Sequence, residues 1–303
     1  MSKTRKTGIF YRFGIKEMID IIRKAKIVME VARKQELDSF WQTRNFNPVR
    51  LVIPFTRLYF PLSGEGYMMY SGKQYHLRPG SLFLIPPYAP VEVSCPERLV
   101  KYWTHFNVFM ADSEVDLFNI ADTVNELPVP DVKEYCILFE HLTKWYPTSH
   151  SEKYYKVPPL AEFEAQSALH LLLEPFYENI LSNTKNLDRS NLRLVKLLNY
   201  IEKNLDRELT LKQLAAIVHL NPTYLSNLFS EKFGISLIQY CNNRRIVRAT
   251  DLLIHTDYSI EEIAWRQGAE STAAFSRLFK RHVGCSPVRF RQLKQGRNTG
   301  PES

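Results

Sequence analysis

Residues 209–290 contain one sequence unit that occurs twice, and this duplication constrains the fold more than any other feature of the chain. Thr210 of the first copy matches Ser259 of the second, 49 residues later, and Phe229 matches Phe279, 50 residues later. The one extra residue falls between the matched blocks, where a turn tolerates it. Because a solenoid needs at least three repeats, the two copies predict a tandem pair of small helical modules.

Each copy has the boundary signals of a helix-turn-helix. Thr210 and Ser259 are N-cap residues, and Gln213 and Glu262 stand three positions after them, which predicts two capping boxes. The other boundaries are marked by turn and capping residues. These are Asn221-Pro222 and Gly234 in the first copy, and Gly268, Ser271 and Gly284 in the second.

The second helix of each copy is predicted to present short polar side chains and an arginine, which suit base edges in a major groove. The candidate base-contacting residues are Thr223, Ser226, Asn227, Thr272, Ala273, Ser276 and Arg277. Arg277 is the best candidate for bidentate contact with guanine. The candidate phosphate-contacting residues are Lys232, Lys280, Arg281 and Arg291. An ordinary helical bundle with solvated faces is the alternative, which the duplication and the charge disfavour.

Positive charge is concentrated in the same part of the chain. The 303 residues carry a net charge of +8. Residues 191–303 hold 17 Lys and Arg against 10 Asp and Glu, so almost all of the excess lies there. A basic surface would also suit a solvated face or an anionic membrane. Its coincidence with two helix-turn-helix modules favours double-stranded DNA as the partner.

The C-terminal third resembles the double helix-turn-helix domain of AraC-type (AraC/XylS family) transcription regulators. The segments that carry the resemblance are Arg245-Ile246, Leu252-Leu253, 260–264, 275–280, Gly284-Cys285-Ser286-Pro287 and Phe290-Arg291. At one point the chain departs from the family, which usually has Gly-Phe where this chain has Gly268-Ala269. We therefore expect the second turn to pack less firmly.

This resemblance implies a regulator that binds promoter DNA, responds to a small-molecule effector and forms a homodimer. RNA polymerase is a further candidate partner, and whether the protein activates or represses stays open. Two rigidly linked modules would read major grooves about one helical turn apart, roughly 34 Å.

The N-terminal half changes from helical to strand-like periodicity. Residues 15–37 predict an amphipathic helix. Short strand-like runs separated by Gly and Pro turns then predict a sandwich or small barrel. These runs are 51–53, 58–60, 67–70, 75–77, 81–85 and 100–108. Their order, with Gly64-Glu65-Gly66 and residues 77–87, resembles the cupin-type effector domain of AraC regulators.

Enzymatic cupins bind a metal through two or three histidines, and that pattern is missing here. Residues 87–93 contain no histidine, while His76 and His105 are isolated and are better explained as hydrogen-bonded barrel residues. No catalytic triad or phosphate loop is present either. We therefore expect no metal, no cofactor and no enzyme activity. The alternative function is a metal-dependent cupin enzyme with a helical accessory domain.

A barrel without a metal is a candidate binding cavity. Arg57, Tyr59 and Ser63 share one strand parity, as do Lys101, Trp103 and His105. Together with Glu92 these are the candidate effector-binding residues. Aromatic rings beside a few charged groups suit a sugar, and the resemblance implies that Trp103 corresponds to a sugar-stacking residue. The alternative is that Tyr59 and Trp103 are core residues.

The remaining segments complete the predicted fold class, a multidomain α+β protein with a cupin-like β-barrel, accessory helices and an all-α double helix-turn-helix domain. Helices are predicted at 132–145 and 161–180, with a kink or break at Pro175, and the resemblance implies that they form a dimer interface. Covering the barrel is an equally economical use of them. The predicted divisions are 1–39 (helical), 40–130 (barrel), 131–181 (dimerisation), 182–190 (linker) and 191–297 (DNA binding).

Two further properties bear on location. Cys95, Cys136, Cys241 and Cys285 form no zinc-binding spacing and are predicted to be reduced, buried thiols. No stretch approaches about 18 apolar residues, so we expect no membrane span and a cytoplasmic location.

Overall fold

A computed structural model of the 303-residue chain describes residues 15–42, 53–111, 113–121, 123–145, 158–183 and 189–295. The helices are α1 Ile15–Lys24, α2 Leu117–Ile120, α3 Val132–Trp145, α4 Pro159–Asn183, α5 Arg189–Lys203, α6 Leu211–Ile217, α7 Pro222–Phe233, α8 Leu237–His255, α9 Ile260–Arg266, α10 Thr272–Val283 and α11 Pro287–Gln295. The strands are β1 Lys26–Asp38, β2 Thr56–Gly64, β3 Gly66–Tyr70, β4 Lys73–Leu77, β5 Ser81–Ile85, β6 Val91–Ser94, β7 Arg98–Phe109 and β8 Glu126–Pro128.

The strands form two antiparallel sheets, one in the order β1-β7-β2-β5-β8 and a smaller one in the order β4-β3-β6. Successive side chains of a strand point to opposite faces, so the larger sheet has two buried faces. Leu58, Phe60 and Tyr102 on one face pack against α3 and α4. Tyr59 and Phe83 on the other face pack against the small sheet. The predicted fold class is confirmed, with an N-terminal part rich in antiparallel strands and a helical C-terminal part.

The predicted helix over 15–37 is correct only as far as Lys24, because residues 26–38 form β1. This strand pairs with β7 along its whole length. Its buried apolar positions are Ile27, Ala32 and Leu37. A bulge between Met29 and Val31 interrupts the alternation, and a bulged strand lacks the strict period of two that identifies a strand in a sequence.

The two accessory helices occur where they were predicted. Helix α4 runs continuously through Pro175, so the expected break is absent. Leu172 and Phe176, on either side of the proline, are fully buried against the sheet. This packing holds the helix together despite the hydrogen bond that the proline cannot donate. Of the predicted linker, residues 184–188 lie outside the described residues, as do residues 51 and 52 of the first predicted strand run.

The C-terminal part consists of two helical modules that share α8. One core joins α5, α6, α7 and the start of α8, and a second core joins the end of α8 to α9, α10 and α11. All four cysteines are free, with Cys95 and Cys241 buried and the other two half-buried. Among the described residues, none of the helices is long and apolar enough to span a membrane.

Candidate DNA-binding surface and ligand site

Both predicted capping boxes are present and fix the starts of α6 and α9. The Gln213 amide N–H donates to Thr210 Oγ1 (3.3 Å) and the Thr210 N–H donates to Gln213 Oε1 (3.0 Å). Likewise the Glu262 N–H donates to Ser259 Oγ (3.1 Å) and the Ser259 N–H donates to Glu262 Oε2 (2.7 Å). These reciprocal bonds satisfy otherwise unpaired N–H groups at each helix start. The first helix of each module is therefore fixed by local sequence.

The second helices, α7 and α10, are delimited in the same way. Asn221 accepts a hydrogen bond from the Thr223 N–H (2.9 Å), and Ser271 accepts one from the Ala274 N–H (3.1 Å). Both helices end at a left-handed glycine, as predicted: Gly234 (φ 69°) and Gly284 (φ 87°). Each helix packs against the next one through an edge-on aromatic pair whose ring centroids are 5.5 Å apart. Phe229 of α7 contacts Tyr240 of α8, and Phe279 of α10 contacts Phe290 of α11.

Each of these helices exposes a stripe of residues at positions i, i+4 and i+7, opposite its buried phenylalanines. The stripes are Thr223, Asn227 and Ser230 on α7, and Ala273, Arg277 and Lys280 on α10. Corresponding members are 50 residues apart in the sequence. A helix stripe of this kind is the part that enters a major groove in helix-turn-helix proteins. The structure thus brings four of the predicted base-contacting residues onto two equivalent surfaces.

The other predicted base-contacting residues, Ser226, Thr272 and Ser276, are half-buried. Among the predicted phosphate contacts, Lys280 and Arg281 are exposed in the last turn of α10, whereas Lys232 is half-buried.

Arg291 does not fit the predicted phosphate-binding role. Its guanidinium group donates from Nε to the Leu253 carbonyl (3.4 Å) and from Nη2 to the Tyr258 carbonyl (2.6 Å). Arg245 of α8 makes the corresponding bonds in the first module, to the carbonyls of Leu205 and Arg207. Both arginines fasten the last helix of a module to the segment before its first helix. That role requires long-range contacts, which the basic composition of the segment does not reveal.

The turns inside the two modules have the same backbone but different packing. His219 (φ 54°) and Gly268 (φ 63°) occupy the same left-handed position, 49 residues apart. A Cβ on Gly268 would lie 2.8 Å from the Arg207 backbone nitrogen, so this turn packs directly on the loop after α5. Next to it, Gln267 is 1% exposed, and its two amide atoms have no hydrogen-bond partner within the described residues. The corresponding residue of the first module is the apolar Val218.

One exposed aromatic residue in this region was not predicted as a surface feature from the sequence. Trp265 of α9 is 75% exposed, while the equivalent position of α6 holds Ala216. The difference between the two copies could have indicated it, because Trp265 replaces an alanine on an exposed helix face.

In the N-terminal part, the strand register gathers five of the seven predicted effector-binding residues. Arg57 lies directly opposite His105, and Tyr59 lies opposite Trp103. Lys101 follows on β7 at the next position of the same parity. Because alternate residues of a strand share a face, these five side chains point towards the small sheet.

The register excludes Ser63 and Glu92 from this cluster. A bulge after Pro61 shifts Ser63 opposite Val100, and its side chain is exposed. Glu92 is exposed on β6, whose alternate residues Val91 and Val93 are the buried ones. The structure therefore does not place these two residues with the other five. Ser63 is displaced because a bulge reverses the parity of the residues after it, and Glu92 lies on the outer face of β6.

Two buried cations dominate the chemistry of the cluster. Lys101 Nζ lies 3.2 Å from the ring centroid of Tyr59 and 4.2 Å from that of Trp41. Arg57 Nη2 donates to the Ala89 carbonyl (2.8 Å), while Arg57 Nε has no hydrogen-bond partner among the described residues. Trp103 Nε1 donates to Gln35 Oε1 (2.8 Å). The site therefore combines aromatic rings, one bound guanidinium group and one ammonium group.

Burial and mutual repulsion disfavour positive charge here. Burial, with the neighbouring Arg57 charge, holds the pKa of Lys101 well below its ordinary value. Burial also lowers the pKa of His105 well below its usual range, and the charges of Arg57 and Lys101 add to this shift. The pKa of Arg57 is lowered by burial as well. The causes of all three shifts include no stabilising carboxylate.

Each of the two isolated histidines contacts a neighbouring side chain. His76 Nε2 lies 2.8 Å from Glu65 Oε2, and the His105 ring lies 4.7 Å from that of Trp103. Within the ranges that the structure describes, no three His, Cys, Asp or Glu side chains are grouped as a metal site.

A turn contacts helix α8 of the C-terminal part and lies beside the candidate ligand site, which consists of Arg57, Tyr59, Lys101, Trp103 and His105. Tyr88, in the turn after β5, is 2% exposed and has a left-handed backbone (φ 62°). Its hydroxyl accepts a 2.8 Å hydrogen bond from Arg244 Nη1, and its ring packs edge-on against that of Tyr240. Arg244 also forms a bidentate ion pair with Glu202 of α5, which is 6% exposed. Burial raises the pKa of Tyr88 to about 12, so its hydroxyl stays protonated.

A second contact lies nearby. Val115 and Ile120, at α2, belong to the same hydrophobic core as Leu194 and Leu197 of α5. Ser113 Oγ donates to Asn199 Oδ1 (2.7 Å). The turn at Tyr88 and the α2 segment therefore join the sheet-rich part to the first helix-turn-helix module. No sequence motif indicated this interface.

Comparisons with known proteins match both parts of the chain. Residues 214–293 match the family described as a helix-turn-helix domain, and residues 49–153 match the family described as an AraC-like ligand binding domain. The first match contains α7 and α10, and the second contains the five clustered residues that were predicted to bind the effector.

Two relatives match most of the chain. The HTH-type transcriptional regulator YfiF of Bacillus subtilis is 24% identical over 270 residues, which cover 84% of this chain and 82% of that protein. The lactose operon transcription activator of Staphylococcus xylosus is 25% identical over 240 residues, covering 77% and 82%. Among solved structures, ToxT of Vibrio cholerae with bound unsaturated fatty acid has a TM-score of 0.50 over 91% of this chain and 98% of its own. At 14% identity, that likeness shows the fold alone.

Proposed function

Because this chain belongs to the AraC family of transcription regulators, with a ligand-binding domain followed by a DNA-binding helix-turn-helix region, we propose that it binds specific promoter sequences under the control of a small-molecule effector. The two relatives that match most of the chain are named as a transcriptional regulator and a transcription activator, not as enzymes. The observation that carries the proposal is the pair of equivalent exposed stripes on α7 and α10. They lie in the part of the chain that holds almost all of its excess positive charge.

In this proposal, α7 and α10 enter successive major grooves. Arg277 is exposed at the centre of the α10 stripe and contacts guanine, with Thr223 and Asn227 as the counterparts on α7. Lys280 and Arg281 hold phosphates near the end of α10. Arg291 is left out of the surface because its guanidinium group is engaged with backbone carbonyls.

The experiment is an operator selection with the full-length protein, followed by affinity measurements on the selected site and its single-base variants. Arg277→Ala is expected to cost about 1–3 kcal/mol on the selected site and to relax specificity at one base pair. Arg78→Ala removes the same charge from an exposed turn of the sheet-rich part and serves as the control. Equal weakening on every sequence would contradict base contact by Arg277.

We further propose that the effector is sugar-like and binds between the two sheets. Tyr59 and Trp103 lie opposite each other on neighbouring strands and bring two aromatic rings to the proposed site, and one relative is named as a lactose operon transcription activator. A thermal-shift screen of sugars and related metabolites tests this, because a ligand that binds only the folded state raises its melting temperature. Failure of every compound to bind would leave DNA binding intact and make the sheets a structural scaffold.

The route from effector to DNA that we propose is short. Arg57, in the ligand site, binds the carbonyl of Ala89, and the adjacent Tyr88 binds Arg244 of α8. A ligand that draws Arg57 away from Ala89 would shift the turn and change how the first module is held against the sheets. This gives the effector different contacts in two states, as an effector-driven change requires.

A homodimer is the proposed assembly, with α4 in the interface. Leu160, Phe163 and Leu171 are 84%, 69% and 56% exposed and lie on one stripe of that helix. A row of exposed apolar residues of this kind suits a protein–protein contact. Sedimentation of Phe163→Asp against the unchanged protein tests it, and an unchanged dimer would exclude this face. RNA polymerase remains a proposed partner, and a cytoplasmic location follows from the proposed promoter binding.

We also propose a different start for the effector domain. Strand β1 pairs with β7 from Lys26 to Asp38, so a domain that began at residue 40 would lose an edge strand of its larger sheet. The proposed domain therefore includes β1.

A further inference from the structure

The ligand site contains two cations that nothing in the described part of the chain neutralises. Arg57 is 1% exposed and Lys101 is 3% exposed. Among the described residues, no Asp or Glu forms an ion pair with either of them. Within the described ranges, the site is thus electropositive without a counter-ion.

Such an arrangement opposes folding. Burying a charge costs free energy unless an opposite charge or several hydrogen bonds compensate it. Here the two cations also repel each other, and one of the guanidinium N–H groups has no acceptor among the described residues. Groups that a fold holds in an unfavourable electrostatic state are concentrated at functional sites.

We propose that the effector carries a carboxylate or phosphate group, which binds between Arg57 and Lys101, on a hydroxylated ring that packs against Tyr59 and Trp103. The inference rests on the proposed effector site and adds the charge of the ligand. A neutral sugar would satisfy the rings and leave both cations uncompensated. A sugar acid or a sugar phosphate satisfies both requirements of the site.

The donors are suited to an anion. Arg57 offers Nε, which is free of other partners among the described residues, and a guanidinium group binds carboxylate and phosphate oxygens in a fork. Lys101 is held between the rings of Tyr59 and Trp41 and supplies a second positive charge. Arg57 is also the residue that binds the Ala89 carbonyl. An anion therefore competes for the group that connects this site to Tyr88 and α8.

The test uses the full-length protein and matched pairs of probes that differ in charge. The pairs are galactose with galacturonate and glucose with glucose 6-phosphate, while inorganic phosphate serves as a minimal anion and oleate as an aliphatic one. Binding is measured by calorimetry and thermal shift at constant ionic strength. We expect at least one anionic probe to bind tenfold or more tightly than its neutral partner.

Lys101→Met is the decisive variant. It should weaken binding of the anionic probe tenfold or more and, because it removes a buried unpaired charge, raise the melting temperature of the ligand-free protein. Lys73→Met is the matched control, because Lys73 also lies over a tyrosine ring, 4.6 Å from the Tyr75 centroid, but is exposed on β4. This variant should leave both quantities unchanged.

Three results would overturn the inference. One is equal binding of neutral and charged partners with no effect of Lys101→Met. Another is the absence of any Lys101-dependent binding, inorganic phosphate included. The third is oleate binding in preference to the hydroxylated anions, which would replace the ring compound by a fatty acid. DNA affinity is measured on the same samples. Loss of sequence-specific DNA binding would contradict the proposed function, whereas the three results above contradict only the proposed charge and class of the effector.

Discussion

Tyr88 and Arg244 are 156 residues apart in the sequence, yet a 2.8 Å hydrogen bond from Arg244 Nη1 to the Tyr88 hydroxyl joins the sheet-rich part to the DNA-binding helices. The same guanidinium group also forms a buried bidentate ion pair with both carboxylate oxygens of Glu202. Tyr88 also has a left-handed backbone, which costs a non-glycine residue about 1–3 kcal/mol and persists only where the surrounding structure imposes it. The contact with α8 is part of those surroundings.

Removing that hydroxyl should uncouple the two parts. Tyr88→Phe keeps the ring contact with Tyr240 and leaves Arg244 Nη1 without its partner, so we expect a loss of about 1–2 kcal/mol in the free energy of unfolding. The effect of the effector on DNA affinity should shrink. Denaturant unfolding and DNA titrations with and without effector measure both. Tyr67→Phe, on the small sheet, is the control, and unchanged coupling in Tyr88→Phe would exclude this route.

Local sequence signals were sufficient to predict the helix-turn-helix modules. Thr210, Ser259, Asn221 and Gly234 act within a few residues of the chain, so their caps are readable without knowledge of the fold. The same holds for α3, which occupies the predicted residues 132–145.

Features that depend on distant partners could not be read in this way. Residues 26–38 become a strand because β7 lies beside them. A bulge in β2 turns Ser63 away from the proposed ligand site. Arg291 donates hydrogen bonds to backbone carbonyls more than 30 residues away in the sequence. Parity and charge predict which side chains belong together only where no bulge or long-range bond intervenes. Parity and side-chain type predict Arg57 and Lys101 as site residues, whereas their burial without a counter-ion among the described residues is visible only in the structure.

The turn of the second module should tolerate no side chain larger than that of glycine. A Cβ at Gly268 would lie 2.8 Å from the backbone of Arg207, so Gly268→Ala should lower the free energy of unfolding by more than the roughly 1 kcal/mol of a left-handed alanine. Gly72 has a similar φ of 74° with open space around it, so Gly72→Ala measures the conformational cost alone. Equal decreases in the free energy of unfolding of the two variants would show that the loop after α5 moves away from the added Cβ at no cost in free energy.

Replacing the buried Gln267 by an apolar residue should stabilise the protein. Its amide group lacks partners within the described residues, and a buried unsatisfied polar group costs about 1–3 kcal/mol. Gln267→Leu should therefore raise the free energy of unfolding by about 1–2 kcal/mol, as measured by urea denaturation. Gln292→Leu, at an exposed position of α11, is the control. A loss of stability in Gln267→Leu would mean that the amide is bound in the folded protein.

The buried carboxyl of Asp116 should make stability depend on pH in a direction opposite to that of an ordinary salt bridge. Burial raises its pKa from 3.8 to about 6, although Asn107, Val108, Phe118 and Thr56 all donate hydrogen bonds to it. The folded state therefore binds the proton more tightly than the unfolded state, and this contribution is fully present below pH 4 and lost as the pH rises through about 6. Relative to Asp116→Asn, whose side chain does not titrate, the unchanged protein should lose on the order of 3 kcal/mol between pH 4 and pH 7. Urea unfolding of both proteins across this range measures the difference, and a constant difference would show that Asp116 keeps an ordinary pKa.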